Sequence, residues 1–129
     1  MKRILLVDDD PLVLGTLREA LDGAGYAVAT AENGKQAMQE LSRARTDLVV
    51  TDLIMPTQEG VETIMAVRKA YPTLPIIAIS GGGRLDALSL LDVARKFGAA
   101  ATLKKPFPPS VLVTLIGRIL AERRGGESC

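Results

Sequence analysis

The sequence predicts an α/β fold in three layers: a five-stranded parallel sheet, doubly wound, with five helices covering both faces. Three observations predict it. Short apolar runs stand at Ile4–Val7, Leu48–Thr51 and Pro75–Ile79, continuous rather than alternating, as strands buried on both faces read. Between the strand-like runs lie stretches with helical spacing of apolar residues, and the two kinds alternate five times, the pattern of a parallel sheet with crossover helices. Finally, 129 residues with 47% apolar content make one domain able to bury a core without disulfide or metal.

Each element follows from local chemistry. After the first strand come Asp8, Asp9, Asp10 and Pro11, and Asp10–Pro11 makes an N-cap and first-turn pair. Val13, Leu14, Leu17, Ala20 and Leu21 form the stripe of the first helix, which Gly23 and Gly25 end. Tyr26–Ala31 is a short second strand, Asn33–Gly34 a turn, and Ala37, Met38 and Leu41 mark a second helix closing near Arg45. The third helix spans Gln58–Ala70 with Val61, Ile64 and Met65 inward, and Tyr71–Pro72 stops it. The fourth spans roughly Leu85–Phe97, with Leu90, Val93, Ala94 and Phe97 inward and Gly98 as its cap. Ala100–Leu103 is the fifth strand. Lys104 to Pro109 form a stiff loop, and the last helix carries Val111, Leu112, Leu115, Ile116 and Ile119 inward. The reading divides the chain into a domain over 1–122 and a polar, frayed tail over 123–129.

Composition excludes several classes of function. Sixteen basic against fifteen acidic residues leave a net charge of +1, so no electrostatic argument favours direct binding of nucleic acid or of a membrane surface. No apolar run approaches membrane-spanning length. The single cysteine, Cys129, forms no internal disulfide, and a cytoplasmic location is expected. With no histidine, the usual general base and the commonest metal ligand are missing.

The functional signal lies at the carboxyl ends of the predicted strands, where open parallel sheets place their ligands. Asp52 stands at the end of the apolar run Leu48–Val50; alone it is equally well explained as a turn or helix cap. Its company changes the reading: Asp8, Asp9 and Asp10 end the first strand, Ser80 with Gly81–Gly83 the fourth, and Lys105 the fifth. Carboxylates brought together repel unless a cation joins them. Oxygen donors without His or internal Cys select a hard ion, Mg²⁺ or Mn²⁺. Metal, one lysine and one hydroxyl suit a phosphoryl group, and the evident nucleophile is a carboxylate forming an acyl phosphate.

In this order and spacing, VDDD at Val7–Asp10, TDLIMP at Thr51–Pro56, Gly60, IAISG at Ile77–Gly81 and KKPF at Lys104–Phe107 resemble the receiver domain of two-component response regulators, over essentially the whole chain. The resemblance implies a flavodoxin-like, CheY-like fold with strand order 2-1-3-4-5. It implies Asp52 as phosphoacceptor, Ser80 and Lys105 as its partners, and a metal held by Asp8, Asp9, Asp52 and the backbone carbonyl of Ile54, with Asp9 a direct ligand. Asp10 is an extra carboxylate, read as the cap of the first helix. The Lys105–Pro106 bond is expected to be cis. The implied donor is a histidine kinase or histidine phosphotransfer protein. The implied output is an unidentified downstream protein, bound through the fourth helix, fifth strand and fifth helix, with the chain a monomer or weak dimer through that face. Such a receiver catalyses only its own phosphorylation and dephosphorylation.

The chain departs from the family pattern in places. Thr102 stands where a Tyr or Phe is usual, three residues before the lysine, which puts aromatic switching in doubt. Gly81–Gly83 reads as a connector or as a loop that rearranges on phosphorylation. Leu85, Leu88 and Leu91 are surplus to the fourth helix's core stripe and offer a partner surface. Ile54 is apolar where the family tunes loss of the phosphoryl group, so slow self-dephosphorylation is expected. A phosphohydrolase acting through an aspartyl phosphate needs a second Asp two residues after the nucleophile, where Ile54 stands. A flavodoxin-like cofactor binder lacks a Gly-rich fingerprint after the first strand. A receiver that never takes phosphate is argued against by Asp9, Asp52, Ser80 and Lys105. The start of the chain suggests a stand-alone protein or an N-terminal domain.

Overall fold

The structure, a computed structural model, describes residues 1–52, 59–80, 96 and 98–127. Five strands, β1 (Arg3–Val7), β2 (Ala27–Ala31), β3 (Leu48–Asp52), β4 (Ile76–Ser80) and β5 (Ala101–Lys104), form one sheet in the order β2-β1-β3-β4-β5. Every pairing is parallel, with Val7 opposite Thr51, Asp52 opposite Ile79 and Ser80 opposite Lys104. This register puts the carboxyl ends of β1, β3, β4 and β5 along one edge.

Four helices are described: α1 (Pro11–Gly23), α2 (Gly34–Arg43), α3 (Glu59–Ala70) and α4 (Pro109–Glu127). The predicted helix over Leu85–Phe97, with Leu85, Leu88 and Leu91, lies outside the described residues except for Lys96, and Gly81–Gly83 and Ile54 lie outside them too. Strand alternation divides the core into two layers. Leu5, Val7, Val49, Ile76 and Ala78 pack with Ala37 and Leu41 of α2 and Ile64 and Val67 of α3. Ile4, Leu6, Leu48, Val50, Ile77 and Ile79 pack with Leu14, Leu17 and Leu21 of α1 and Leu112 and Ile116 of α4. The sheet is therefore wound on both faces. Every residue of β3 and β4 is buried, which explains their unbroken apolar reading.

Several local expectations are corrected. Asn33 is the N-cap of α2 rather than part of a free turn: its Oδ1 accepts the Gln36 N–H at 2.8 Å. Met65 points outward and is 46% exposed, because the buried face of α3 is set by Thr63, Ile64 and Val67, and Met65 lies about 100° from Ile64 around the helix. Val111 is likewise exposed, since Leu112 and Ile116 hold the core side of α4. That helix runs to Glu127.

Polar clasps fasten the amino ends of the strands. The Arg3 guanidinium donates to the Glu40 and Ala44 carbonyls at 3.3 and 2.9 Å and to Glu40 Oε2 at 3.1 Å, tying β1 to the end of α2. Arg68 donates to the Pro72 carbonyl at 2.7 Å and the Gly98 carbonyl at 2.8 Å. Gly98 has φ +101°, and a Cβ there would stand 2.8 Å from Arg68 Nε; glycine meets both demands.

Candidate functional site

The site is built from strand ends. β1 carries Asp8 just past Val7, and the Asp8 N–H donates to the Ala31 carbonyl at 3.1 Å, extending the β1–β2 ladder by one bond. β3 ends on Asp52 itself. β4 ends on Ser80, fully buried, whose carbonyl accepts the Lys105 N–H at 2.7 Å. That bond fixes the backbone from which Lys105 reaches back over the sheet edge, and the following Lys105–Pro106 peptide is cis.

One ammonium joins two carboxylates. Lys105 Nζ lies 2.8 Å from Asp52 Oδ2 and 3.4 Å from Asp8 Oδ2. Asp8 and Asp52 are each only 4% exposed. Burial raises the Asp8 carboxyl above its ordinary value; the Asp10 N–H, which donates to Asp8 Oδ1 at 2.9 Å, opposes this, and the charge of Asp52 adds to it. For Lys105, burial acts to lower the ammonium, but its hydrogen bond to Asp52 and the charges of both carboxylates outweigh that and hold it above its ordinary value. The pocket therefore concentrates negative charge that one lysine only partly neutralises.

Of the residues singled out in the sequence, Asp8, Asp52 and Lys105 are in mutual contact, and Ser80 is joined to Lys105 through the backbone. Asp9 and Asp10 are exposed on the rim, and Asp10 caps α1, its side chain accepting the Leu12 N–H at 2.9 Å. Among the described residues no group of three or more acidic side chains is gathered to hold a metal. Asp8 and Asp52 are nonetheless two buried oxygen donors already sharing one cation, the donor type that a hard divalent ion takes while keeping several waters. Beside Lys105 runs an apolar trough of about 340 Å³ lined by Leu12, Val13, Leu17, Pro106, Phe107 and Pro109. Leu12 is 80% exposed. The sequence reading missed this feature; the available signal was Leu12 itself, an apolar residue one place before the helical stripe.

The family model for the response regulator receiver domain matches residues 4–117. The chain belongs to the response regulator receiver domain family. It is 35% identical over 127 residues to the transcriptional regulatory protein CpxR of Escherichia coli (strain K12), covering 98% of this chain and 53% of CpxR. It is 34% identical over 119 residues to the DNA-binding transcriptional regulator NtrC of Bradyrhizobium sp. (strain RP501 Parasponia), covering 92% of this chain and 24% of NtrC. The chain thus spans from about a quarter to about half of these relatives. Among solved structures, a CheY-like receiver domain protein from Methanospirillum hungatei JF-1 superposes with a TM-score of 0.87 at 28% identity, over 98% of each chain. The chemotaxis protein CheY4 of Vibrio cholerae superposes with a TM-score of 0.81 at 31% identity, over 92% of this chain and 98% of CheY4. The receiver is a signalling module of two-component systems with the CheY-like, flavodoxin-like fold. Among the described residues, no helix is long and apolar enough to cross a membrane.

Proposed function

We propose that this receiver accepts a phosphoryl group on Asp52 from a histidine kinase or histidine phosphotransfer protein. The observation that carries the reading is the Lys105 ammonium 2.8 Å from Asp52 Oδ2, at the edge of the sheet. A carboxylate oxygen of Asp52 attacks phosphorus, the bond from phosphorus to the donor imidazole nitrogen breaks, and the imidazole takes up a proton. Lys105 and the Ser80 hydroxyl bind the oxygens of the transferred group. Asp8, Asp9, Asp52 and the Ile54 carbonyl would hold Mg²⁺ (or Mn²⁺), which when bound supplies positive charge to the phosphoryl oxygens. The paired burial of Asp8 and Asp52 supports this, since charge in that pocket is incompletely balanced. Beyond its own phosphorylation and dephosphorylation, no catalysis is assigned to the chain.

The donor protein seats its apolar surface on the trough that includes Leu12 and Phe107, which opens beside Lys105. Once phosphorylated, Asp52 carries added charge and new acceptor oxygens. Lys105 and Ser80 turn toward them, and the predicted fourth helix, β5 and α4 take a second arrangement read by a downstream protein. The protein acts in the cytoplasm without binding nucleic acid or membrane through this domain, as a monomer or a weak dimer through the same face.

Intact mass after incubation with acetyl phosphate and Mg²⁺ tests the reading. One added phosphoryl group, absent in Asp52→Asn and absent with chelator, is expected. A phosphoryl group retained in Asp52→Asn refutes the assignment of the acceptor, and one gained equally in chelator refutes the metal.

A further inference from the structure

We propose that Asp10 is a positioning residue for the acid pocket, and that its capping of α1 serves to aim its own backbone N–H at Asp8. The ion-binding part of this inference rests on the metal reading above. Residue 10 is held on two sides. Its Oδ1 accepts the Leu12 N–H at 2.9 Å, and its carbonyl accepts the Leu14 N–H at 3.1 Å. Pro11 has no N–H to offer, so Leu12 carries the first donor of the helix that a cap can satisfy. Pro11 also disfavours helical backbone at residue 10, which is extended at φ −97° and ψ 110°.

With its side chain and carbonyl committed to α1, the remaining N–H of Asp10 points back toward β1 and donates to Asp8 Oδ1 at 2.9 Å. Asp8 Oδ2 then faces Lys105 Nζ. One carboxylate is thus gripped at both oxygens, by the first residue of the α1 cap on one side and by the lysine beyond β5 on the other. Any residue at position 10 other than proline has the N–H, and a capping oxygen adds to Pro11 and the Leu14 bond in holding its direction. The arrangement makes the cap and the pocket a single unit. An alanine at position 10 releases the Leu12 N–H, loosens the turn and lets Asp8 rotate.

The test separates the cap from the charge, using the full chain. Asp10→Asn keeps a capping oxygen without the charge, and Asp10→Ala loses both. Mg²⁺ affinity, measured by titration, is expected to stay within about twofold of the parent in Asp10→Asn and to fall about tenfold in Asp10→Ala, the scale on which partners that orient a ligand act. In an Asp8→Ala background, which lacks the acceptor oxygen, the further loss from Asp10→Ala is expected to shrink to about twofold or less. Equal losses in the Asn and Ala variants assign the effect to charge alone and overturn the proposal. An undiminished loss in the Asp8→Ala background overturns it as well. A metal-free readout runs beside these: the residue-10 amide proton is expected downfield in the parent and in Asp10→Asn, and shifted upfield in Asp10→Ala and in Asp8→Ala. If the parent binds no divalent ion, the metal reading fails and the amide resonance decides alone. An unshifted amide in Asp10→Ala then refutes the positioning role.

Discussion

Removing the Lys105 ammonium should destabilise the metal-free protein in a pH-dependent way. In Lys105→Met the aliphatic stem is largely kept and the charge is lost, leaving Asp8 and Asp52 buried together. At an effective dielectric constant of about 20, an ammonium at 2.8 and 3.4 Å from the two carboxylate oxygens attracts each by roughly 5–6 kcal/mol. Desolvation offsets most of this, and truncating one partner of a buried pair typically costs about 3–5 kcal/mol. The lysine side chain is 27% exposed, and solvent screening lowers the expected loss to about 2–3 kcal/mol at neutral pH. The sign with pH follows from the carboxylates. The Asp8 carboxyl is already raised above 3.8 in the fold, and loss of the ammonium raises it further. The folded variant then binds more protons than the folded parent, so the deficit grows as pH rises through the raised Asp8 value and fades as pH falls below it. Urea unfolding with chelator present, from pH 4 to 8, measures this. Adding Asp8→Asn to Lys105→Met should recover about 1 kcal/mol or more at pH 7.5, because one of the two carboxylates is gone. A deficit of the same size at pH 4.5 and 7.5, or no recovery in the double variant, would refute the electrostatic account of the pocket.

Three further outcomes are expected. Mg²⁺ at about a hundred times its dissociation constant should stabilise the parent by about 2.7 kcal/mol, seen as a raised Tm, and Asp9→Ala should abolish most of that gain if Asp9 is a ligand. Ile54→Asn should shorten the acyl-phosphate half-life, followed by intact mass after removal of the donor, because a polar side chain in place of Ile54 can orient the attacking water; an unchanged or longer half-life contradicts the proposed slow dephosphorylation. Gly98→Ala should cost about 1–2 kcal/mol in urea unfolding, because the residue has φ +101° and its new Cβ would meet Arg68 Nε.

Most of the sheet, and which residues gather at its carboxyl edge, are legible in the sequence for one reason. Strands buried on both faces are apolar almost throughout, so Asp8 and Ser80 stand out as the first polar groups after their runs and Asp52 follows one residue behind Thr51, whereas β5 is only half-buried and Lys105 stands behind Lys104. Half-buried helices speak less clearly. Met65 sits next to Ile64 on a helix whose inward face is only a few residues wide, and one position decides between core and solvent. Asn33–Gly34 satisfies the chemistry of a turn and of a cap equally, and the choice depends on whether a Gln36 N–H arrives within reach. The grip of Arg3 on the end of α2 spans 37 positions to Glu40, and single polar residues so far apart leave no periodic trace. The same holds for the bond from the Asp10 N–H to Asp8, a main-chain donor whose direction is not written in residue type.

The distance along the chain between Asp8 and Lys105 has a consequence for biosynthesis. They are separated by 97 positions, and at about 5–20 residues per second the carboxylate precedes its ammonium by roughly 5–20 s. Once Asp52 has been made, 53 positions before Lys105, β1 and β3 can pair on the nascent chain for roughly 3–11 s, but closing them buries two acids with no counter-charge from this protein. The strands at the centre of the sheet are thus electrostatically discouraged from settling until the edge strand has been made. The same lysine that bridges both carboxylates in the finished protein sets a condition for closing its central strands.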